Sequence, residues 1–477
     1  MAVARFLTMD LKAQEQITGP SSVISKARKI VYIAPNKALC EERYKDWSQK
    51  LQSMNLGLKV SLITGQDAGS KQAMSSFTDL IDGHLIVTTP EKWDSMTRRW
   101  NEKFFLFASV KLLLLDEVHL LGDISRGWCL ESVITRMKTI HRAARKLDTT
   151  IDYIRTSSYA HTNPEAIRSN FRIVAVSATL PNISDVADFV EAKEAYTFDD
   201  SYRPIALTKH VNAMGRVGKN EFRFWSKLVD HVPEIVKRFS HGKQSLIFCH
   251  TKKQTQQVMD LLTERKIGNE GDQTAGRRWN EPVDKMIAHG IACHNAGMSK
   301  VERKRIEEAF LNKKIRCLAA TSTLAVGVNL PAHLVIIVGT KAYRRTKKGK
   351  GSKAGYEDIE VNTLLQMVGR AGRPGLDSTG VAVVLTDHDS KNRIESLMQV
   401  GTGPVKSNLI PRLPEVVNSE ISQQVITSKR GALQWLSTTF LFSTMKNEKN
   451  PISSAENLVN EAVAHLKEIG MLADGST

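Results

Sequence analysis

The sequence predicts an α/β protein: two tandem parallel-sheet domains followed by a small, mostly helical region. Three observations carry this. Short, almost wholly apolar runs recur between amphipathic stretches; the series starts afresh midway along the chain; and it stops near residue 395. A strand covered by helices on both faces has no polar side to show, so it reads as an unbroken apolar run.

Residues 30–34, 85–88, 110–115 and 173–176 make the first set of runs, and 245–249, 315–320, 334–338 and 381–385 the second. Tyr202-Arg203-Pro204 punctuates the interval between them. The expected domains are therefore 1–200, 201–395 and 396–477. Polar stretches at 141–170 and 264–283 lack apolar periodicity and read as surface insertions. Helical periodicity takes over at 430–442 and 455–472. Ser299 and Glu302 have the spacing of a capping box that starts a helix.

At 477 residues the chain is too long for a single core. Lysine and arginine total 67 against 50 acids, a net charge of +17, which favours a polyanionic partner over an acidic one. The five cysteines are scattered with no CxxC pair, which argues against a zinc site or a disulfide scaffold and fits a reducing compartment. The opening stretch is broken by Arg5, Asp10 and Lys12, and no later run approaches the ~20 apolar residues of a spanning helix. A soluble intracellular protein with no membrane partner is expected.

In open parallel sheets ligands sit at the carboxyl ends of strands, so the chemistry is expected just after each apolar run. Asp116 and Glu117 stand there in LLLLDEVH, where one carboxylate can hold Mg²⁺ through its waters and its neighbour can orient an attacking water. Alone, such a pair is equally a solvated strand end. Ser177 and Thr179 occupy the next strand end, where hydroxyls also serve as helix caps. In QMVGRAGRPGLD, Arg370 and Arg373 lie three apart among glycines that let the backbone approach closely, a pattern suited to two guanidiniums on one polyphosphate. Such a group contributes roughly 10³–10⁵ in rate to phosphoryl transfer. Gly327 and Asn329 form a turn just upstream.

Read in order, PNKAL, TTPEKWD, DEVH, SATLPN, FCHTKK, HNAGM, TSTLAVGVNLPA and QMVGRAGRPGLD resemble the DExH-box superfamily-2 helicases. The GVNLPA and HNAGM forms are similar to the Ski-like group, and TTPEKWDSMTRRW is most like its meiotic crossover (Mer/Hfm-type) DNA helicases. GPVKSNL, NSEI and ALQWLSTTFLF resemble that group's winged-helix domain. The resemblance implies two RecA-like domains using ATP and Mg²⁺. Asp116 and Glu117 would bind the metal and activate water, and Gln366, Arg370 and Arg373 would face the γ-phosphate. Gly327 and Asn329 would border the nucleotide, while His119, Ser177 and Thr179 would couple the sites. Pro35, Lys37, Thr89 and Pro90 on the first domain, with Thr251, His294, Gly297 and Thr323 on the second, would hold a strand by its backbone, independently of sequence. Lys37 reads equally as a solvated helix-end lysine. The basic run at 341–353 falls where the group carries a strand-separating hairpin; a solvated loop is the alternative.

The implied function is an ATP-dependent 3′–5′ DNA helicase acting on single-stranded or branched DNA in meiotic recombination, in the nucleus. The alternatives are a non-catalytic nucleic-acid-binding fragment or isoform and an RNA-unwinding relative. One departure from the family stands out: the chain has no GxxxxGK[ST], the loop whose amides cradle phosphates. The chain is expected to start a few residues after that loop, as an incomplete gene model, fragment or alternative start. As written it should then turn over ATP below about 0.1 s⁻¹, against ~10 s⁻¹ for typical enzymes. Loss of the loop's central strand should expose two strand edges and favour aggregation. The group's helical ratchet and Sec-type domain would be expected after residue 477 and are missing from the sequence as written.

Overall fold

The computed structural model describes residues 29–55, 58–65, 78–146, 170–178, 180–215, 221–268, 282–321, 324, 330–348, 351–373, 375–401, 403–446 and 448–473. The chain divides into two compact units, residues 1–196 with 403–477, and residues 197–402.

The first unit is built on strands β1 (Lys29–Ile33), β2 (Val60–Ile63), β3 (Leu85–Thr88), β4 (Val110–Leu115) and β5 (Arg172–Ala175). They form one parallel sheet in the order β2-β3-β1-β4-β5. Side chains alternate across the sheet, so Val31 and Ile33 enter one core while Ile30 and Tyr32 enter the other. Both faces are apolar, which is why the central strands read as continuous runs. Strand β1 pairs directly with both β3 and β4. Of the described strands, β5 lies at an outer edge and is partly exposed.

Helices α1 (Lys37–Ser53), α2 (Pro90–Thr97) and α3 (Gly127–Lys146) return the chain between strands, and α4 (Ile183–Phe189) follows β5. The insertion expected from residue 141 begins too early, since α3 runs to Lys146 and buries His141 and Ala144. His141 is stacked on Phe171, and such half-apolar contacts leave no simple periodic trace.

The second unit carries β6 (Ala206–Met214), β7 (Ser245–Cys249), β8 (Ile291–His294), β9 (Cys317–Thr321), β10 (Leu334–Val338) and β13 (Thr379–Asp387). Their order is β6-β13-β10-β7-β9-β8, all parallel. Between β10 and β13 stand β11 (Lys341–Lys348) and β12 (Gly351–Asp358), an antiparallel pair with Lys348 opposite Gly351. The basic run therefore forms a hairpin, not a loop. Helices α5 (Val232–Phe239), α6 (Lys252–Glu264), α7 (Pro282–His289), α8 (Lys300–Leu311), α9 (Val361–Gly369) and α10 (His388–Val400) lie in this unit, with a further short helix at Glu221–Lys227. The Ser299–Glu302 capping box is present at the start of α8.

The expected boundary at 395/396 falls inside α10, a continuous helix capped by the Asp387 side chain. Residues 403–473 then form α11 (Leu413–Ser422), α12 (Lys429–Leu436), α13 (Phe440–Met445) and α14 (Pro451–Glu468), with no strand among the described residues. They have their own core of Leu413, Val417, Trp435, Leu436, Val459 and Leu466. Instead of standing apart, this region packs on the first sheet's helices: Val405 and Phe440 enter the same core as Ile134, Met137 and Phe189.

Candidate nucleotide and nucleic-acid sites

At the carboxyl edge of the first sheet, neighbouring strands bring four of the expected segments side by side. Ile33 pairs with Thr88, so Pro35 and Lys37, which follow β1, stand beside Thr89 and Pro90, which follow β3. Pro35 is buried and Lys37 exposed. Asn36 caps α1 by accepting the Leu39 N–H at 2.9 Å. Thr89 is the N-cap of α2, with Pro90 in its first turn, yet the Thr89 side chain makes no capping bond. Thr88 is fixed from below, its hydroxyl donating to Ile63 O at 2.7 Å.

Asp116 emerges from β4, its N–H donating to Ile33 O at 3.0 Å. The Tyr32 hydroxyl donates to Asp116 Oδ2, and the Glu117 N–H reaches Asp116 Oδ1 at 3.0 Å. Burial, then the bond to Asp116, raises the Tyr32 phenol far above its ordinary range, so Tyr32 acts only as a donor. Glu117 adopts φ +53°, a left-handed conformation that non-glycine residues visit rarely and that turns the chain sharply at the strand end. His119 Nδ1 lies 3.2 Å from Glu117 Oε2 and 3.4 Å from both Ser177 Oγ and the Ala178 amide. Burial lowers the His119 pKa, opposed by the charge of Asp116. A buried imidazole thus links the β4 acids to the β5 turn. The Asp116 and Glu117 oxygens, oriented by Tyr32 and His119, suit Mg²⁺ held through its waters. No group of three or more His, Cys, Asp or Glu that could hold a metal occurs among the described residues.

In the second unit the predicted residues divide between two edges. Thr251, after β7, forms a full capping box with Gln254 at the start of α6. His294 ends β8 and its Nε2 meets Glu307 Oε1 at 2.9 Å, leaving the ring buried. Gly297 is exposed, and a Cβ there would lie 3.2 Å from Lys252 Nζ, so this lysine stands over the HNAGM turn.

Arg370 and Arg373 lie at the opposite, amino edge, which corrects the expectation that all the chemistry follows strand ends. Helix α9 returns the chain antiparallel to the sheet, so its C-terminal end comes back to where β10 and β13 begin. There Gly372 N donates to Ala332 O at 2.7 Å, ahead of β10. Gln366 is half-buried on α9, and Arg370 ends that helix. The Arg373 guanidinium meets Asp377 through Nε at 2.7 Å and Nη2 at 3.0 Å, and Gln244 Oε1 through Nη1 at 3.0 Å. Lys243 Nζ adds a contact to Asp377 at 3.1 Å. Burial alone would raise the Asp377 pKa, but the bonds from Arg373 and Lys243 hold it well below the usual carboxylate range. Thr179, Thr323, Gly327 and Asn329 lie outside the described residues.

Sequence reading missed Tyr32, Lys252 and Asp377. Asp377 carried a usable signal, standing four residues after Arg373. Lys252 lay within FCHTKK. Tyr32 looked like one more apolar strand residue.

Two family models match the chain: the DEAD/DEAH box helicase over residues 11–186 and the helicase conserved C-terminal domain over residues 227–375. This chain belongs to the DEAD/DEAH box helicases, in the DExH-box branch. Within that class it is Mer/Hfm-like. It is 36% identical over 438 residues to the probable ATP-dependent DNA helicase HFM1 of Xenopus tropicalis, covering 89% of this chain and 30% of that protein. It is 35% identical over 441 residues to the ATP-dependent DNA helicase MER3 of Saccharomyces cerevisiae, covering 90% and 32%. The chain thus spans about a third of the length of these relatives. Its fold is similar to the crystal structure of the DUF1998 helicase MrfA bound to DNA and AMPPNP, with TM-score 0.56 and 16% identity over 86% of this chain and 48% of that one.

Proposed function

We propose that this chain is the motor region of an ATP-dependent 3′–5′ DNA helicase that moves along single-stranded DNA during meiotic recombination in the nucleus. The observation that carries the reading is the carboxyl edge of the first sheet, where an oriented acid pair and two backbone-presenting turns share adjacent strands. The direction of movement and the DNA preference rest on the family likeness.

ATP with Mg²⁺ supplies the free energy of phosphoryl transfer when bound. Asp116, kept in orientation by Tyr32 and the Glu117 amide, would hold the metal through its waters. Glu117, its carboxylate held beside His119, would position the attacking water. His119 and the Ser177 turn carry the state of these acids to β5. Gln366 and Arg370 would neutralise charge on the terminal phosphate, with Gly327 and Asn329 beside the nucleotide; Arg373, whose guanidinium is held by Asp377 and Gln244, would join them only by giving up those bonds. The segments at Pro35, Lys37, Thr89 and Pro90, and at Thr251, His294, Gly297 and Thr323, hold the strand by its phosphates without reading bases. Thr179 would share the coupling role of Ser177. Lys252 adds a cation beside Gly297. Hairpin β11–β12 separates the duplex.

The test is strand displacement by the full-length protein on partial duplexes of DNA or RNA carrying a 3′ or a 5′ tail. ATP-dependent displacement from 3′-tailed DNA, lost in Glu117→Gln, is expected. Preference for RNA, or DNA binding without displacement, would replace this reading by an RNA-unwinding or a non-catalytic one.

A further inference from the structure

We propose that Arg136 is a positioning residue for nucleic-acid binding: it couples α2, whose first turn presents Thr89 and Pro90, to the C-terminal helical region. The inference rests on the reading that the Thr89 turn holds a strand.

Helix α2 has eight residues, too few to hold a fixed direction by its own hydrogen bonds. Its aim is imposed by neighbours, and several of these attachments are ionic. Arg136, on α3, donates through Nη1 to Asp94 Oδ1 at 2.7 Å and to Thr97 Oγ1 at 3.1 Å, both on α2. Through Nε it donates to Glu420 Oε1 on α11 at 2.9 Å. Asp94 also accepts from Arg98 Nε at 2.8 Å, and Arg98 Nη2 reaches Glu415 on α11 at 3.4 Å. Charges of alternating sign therefore run from α11 through α3 to α2 and back. Arg136 and Glu420 are each 1% exposed and Asp94 4%. The second Glu420 oxygen is buried without a hydrogen-bond partner, so Arg136 is the group that satisfies that carboxylate.

Apolar side chains of the same volume would stabilise such a junction as well or better. What the ions add is a single permitted arrangement, because a guanidinium spanning two carboxylates keeps both bonds only while neither helix shifts by an ångström or two. A displacement of α11 is thereby felt at α2, and so at the Thr89 turn. The strand grip on the first sheet is set in part by how the C-terminal region docks.

The experiment compares Glu420→Gln, Arg136→Lys, Thr89→Pro and Lys446→Ala, measuring binding of a fluorescent oligothymidylate by anisotropy and amide exchange across residues 91–98. Lys446 makes an exposed pair with Asp188 that also bridges the C-terminal region to the first sheet domain, and serves as the control. Glu420→Gln and Arg136→Lys should weaken DNA binding about three- to tenfold and speed exchange in α2, with melting curves still cooperative, while Lys446→Ala stays at the wild-type affinity. Lysine keeps the charge but cannot span both acids, so failure to rescue is part of the expectation. Wild-type affinity in Glu420→Gln, or an equal loss in Lys446→Ala, overturns the coupling. If Thr89→Pro leaves affinity unchanged, the strand-contact reading of that turn fails instead.

Discussion

Arg373 grips Asp377 through two parallel bonds, Nε to Oδ2 at 2.7 Å and Nη2 to Oδ1 at 3.0 Å. The same carboxylate accepts the Arg373 backbone N–H at 3.1 Å, closing the turn between α9 and β13 on itself. Breaking a buried pair of this kind costs about 3 kcal/mol, because the remaining guanidinium is left poorly compensated. Asp377→Asn should lower the denaturant midpoint accordingly. The Asp377 pKa is lowered on folding, so its contribution is complete above the unfolded carboxylate value and is lost only as pH falls through the folded one. The gap between wild type and variant should stay flat from pH 5 to 8; a gap that opens or closes within that window contradicts the clamp.

Glu131 has the opposite sign. It is fully buried under the C-terminal region, where it accepts from Ser407 Oγ at 2.6 Å and the Leu441 N–H at 2.7 Å. Burial, partly offset by those bonds, raises its pKa from 4.5 to about 7. A raised carboxyl contributes fully below the unfolded value and loses that contribution as pH climbs through the folded one. The change corresponds to roughly 3 kcal/mol. A glutamine amide can accept from Leu441 and donate to Ser407 with no charge to bury. Glu131→Gln should therefore melt above wild type at pH 8, with the difference shrinking towards pH 5. Equal differences at both pH values would show that the carboxylate is not the source. Lys138, whose pKa burial lowers to about 8, remains mostly charged through most of this window.

Tyr32 orients Asp116 from a buried position. Removing a partner one step behind a metal ligand commonly costs about tenfold in metal affinity. In the full-length protein, Tyr32→Phe should raise the Mg²⁺ concentration needed for half-maximal ATP turnover by about that factor and leave DNA affinity alone. A Mg²⁺ titration that overlays the wild type would remove Tyr32 from the site.

Gly380 sits where any side chain would strike backbone: a Cβ would fall 2.6 Å from Gly372 N and 2.8 Å from Ala371 C. Neither atom can swing aside, so the first residues of β13 would have to shift away from the Arg370–Arg373 turn. Gly380→Ala should cost about 2 kcal/mol or more. Gly369→Ala, at a position with no atom within 4 Å of the added carbon, is the matched control and should melt near wild type.

Central strands were legible, and of the described edge strands only β5 was, for a physical reason. Val110–Leu115 and Leu334–Val338 are covered on both faces and read as apolar blocks. Ala206–Met214 has polar residues throughout because it borders the second sheet and is only partly covered. Val60–Ile63 and Ile291–His294 are edge strands of four residues, too short to announce themselves. The acids at 116 and 117 could be read because a polar pair directly after an apolar run is conspicuous. The amino-edge position of Arg373 could not, since it depends on α9 reversing the chain. Nor could the Arg136–Glu420 contact, whose partners are 284 positions apart in sequence and become neighbours only through tertiary packing.

Phe440 fills the core beneath the first sheet, 5.5 Å from Phe189. On a translating ribosome these two rings emerge about 250 residues apart, which at ordinary synthesis rates is roughly 10–50 s. Throughout that interval the nascent first lobe has an unfilled socket along α3, with Glu131 lacking Ser407 and Leu441 and Arg136 lacking Glu420. Maturation of the lobe must wait for the whole second sheet to be made, so a stalled or prematurely released product leaves this socket open to chaperones and proteases.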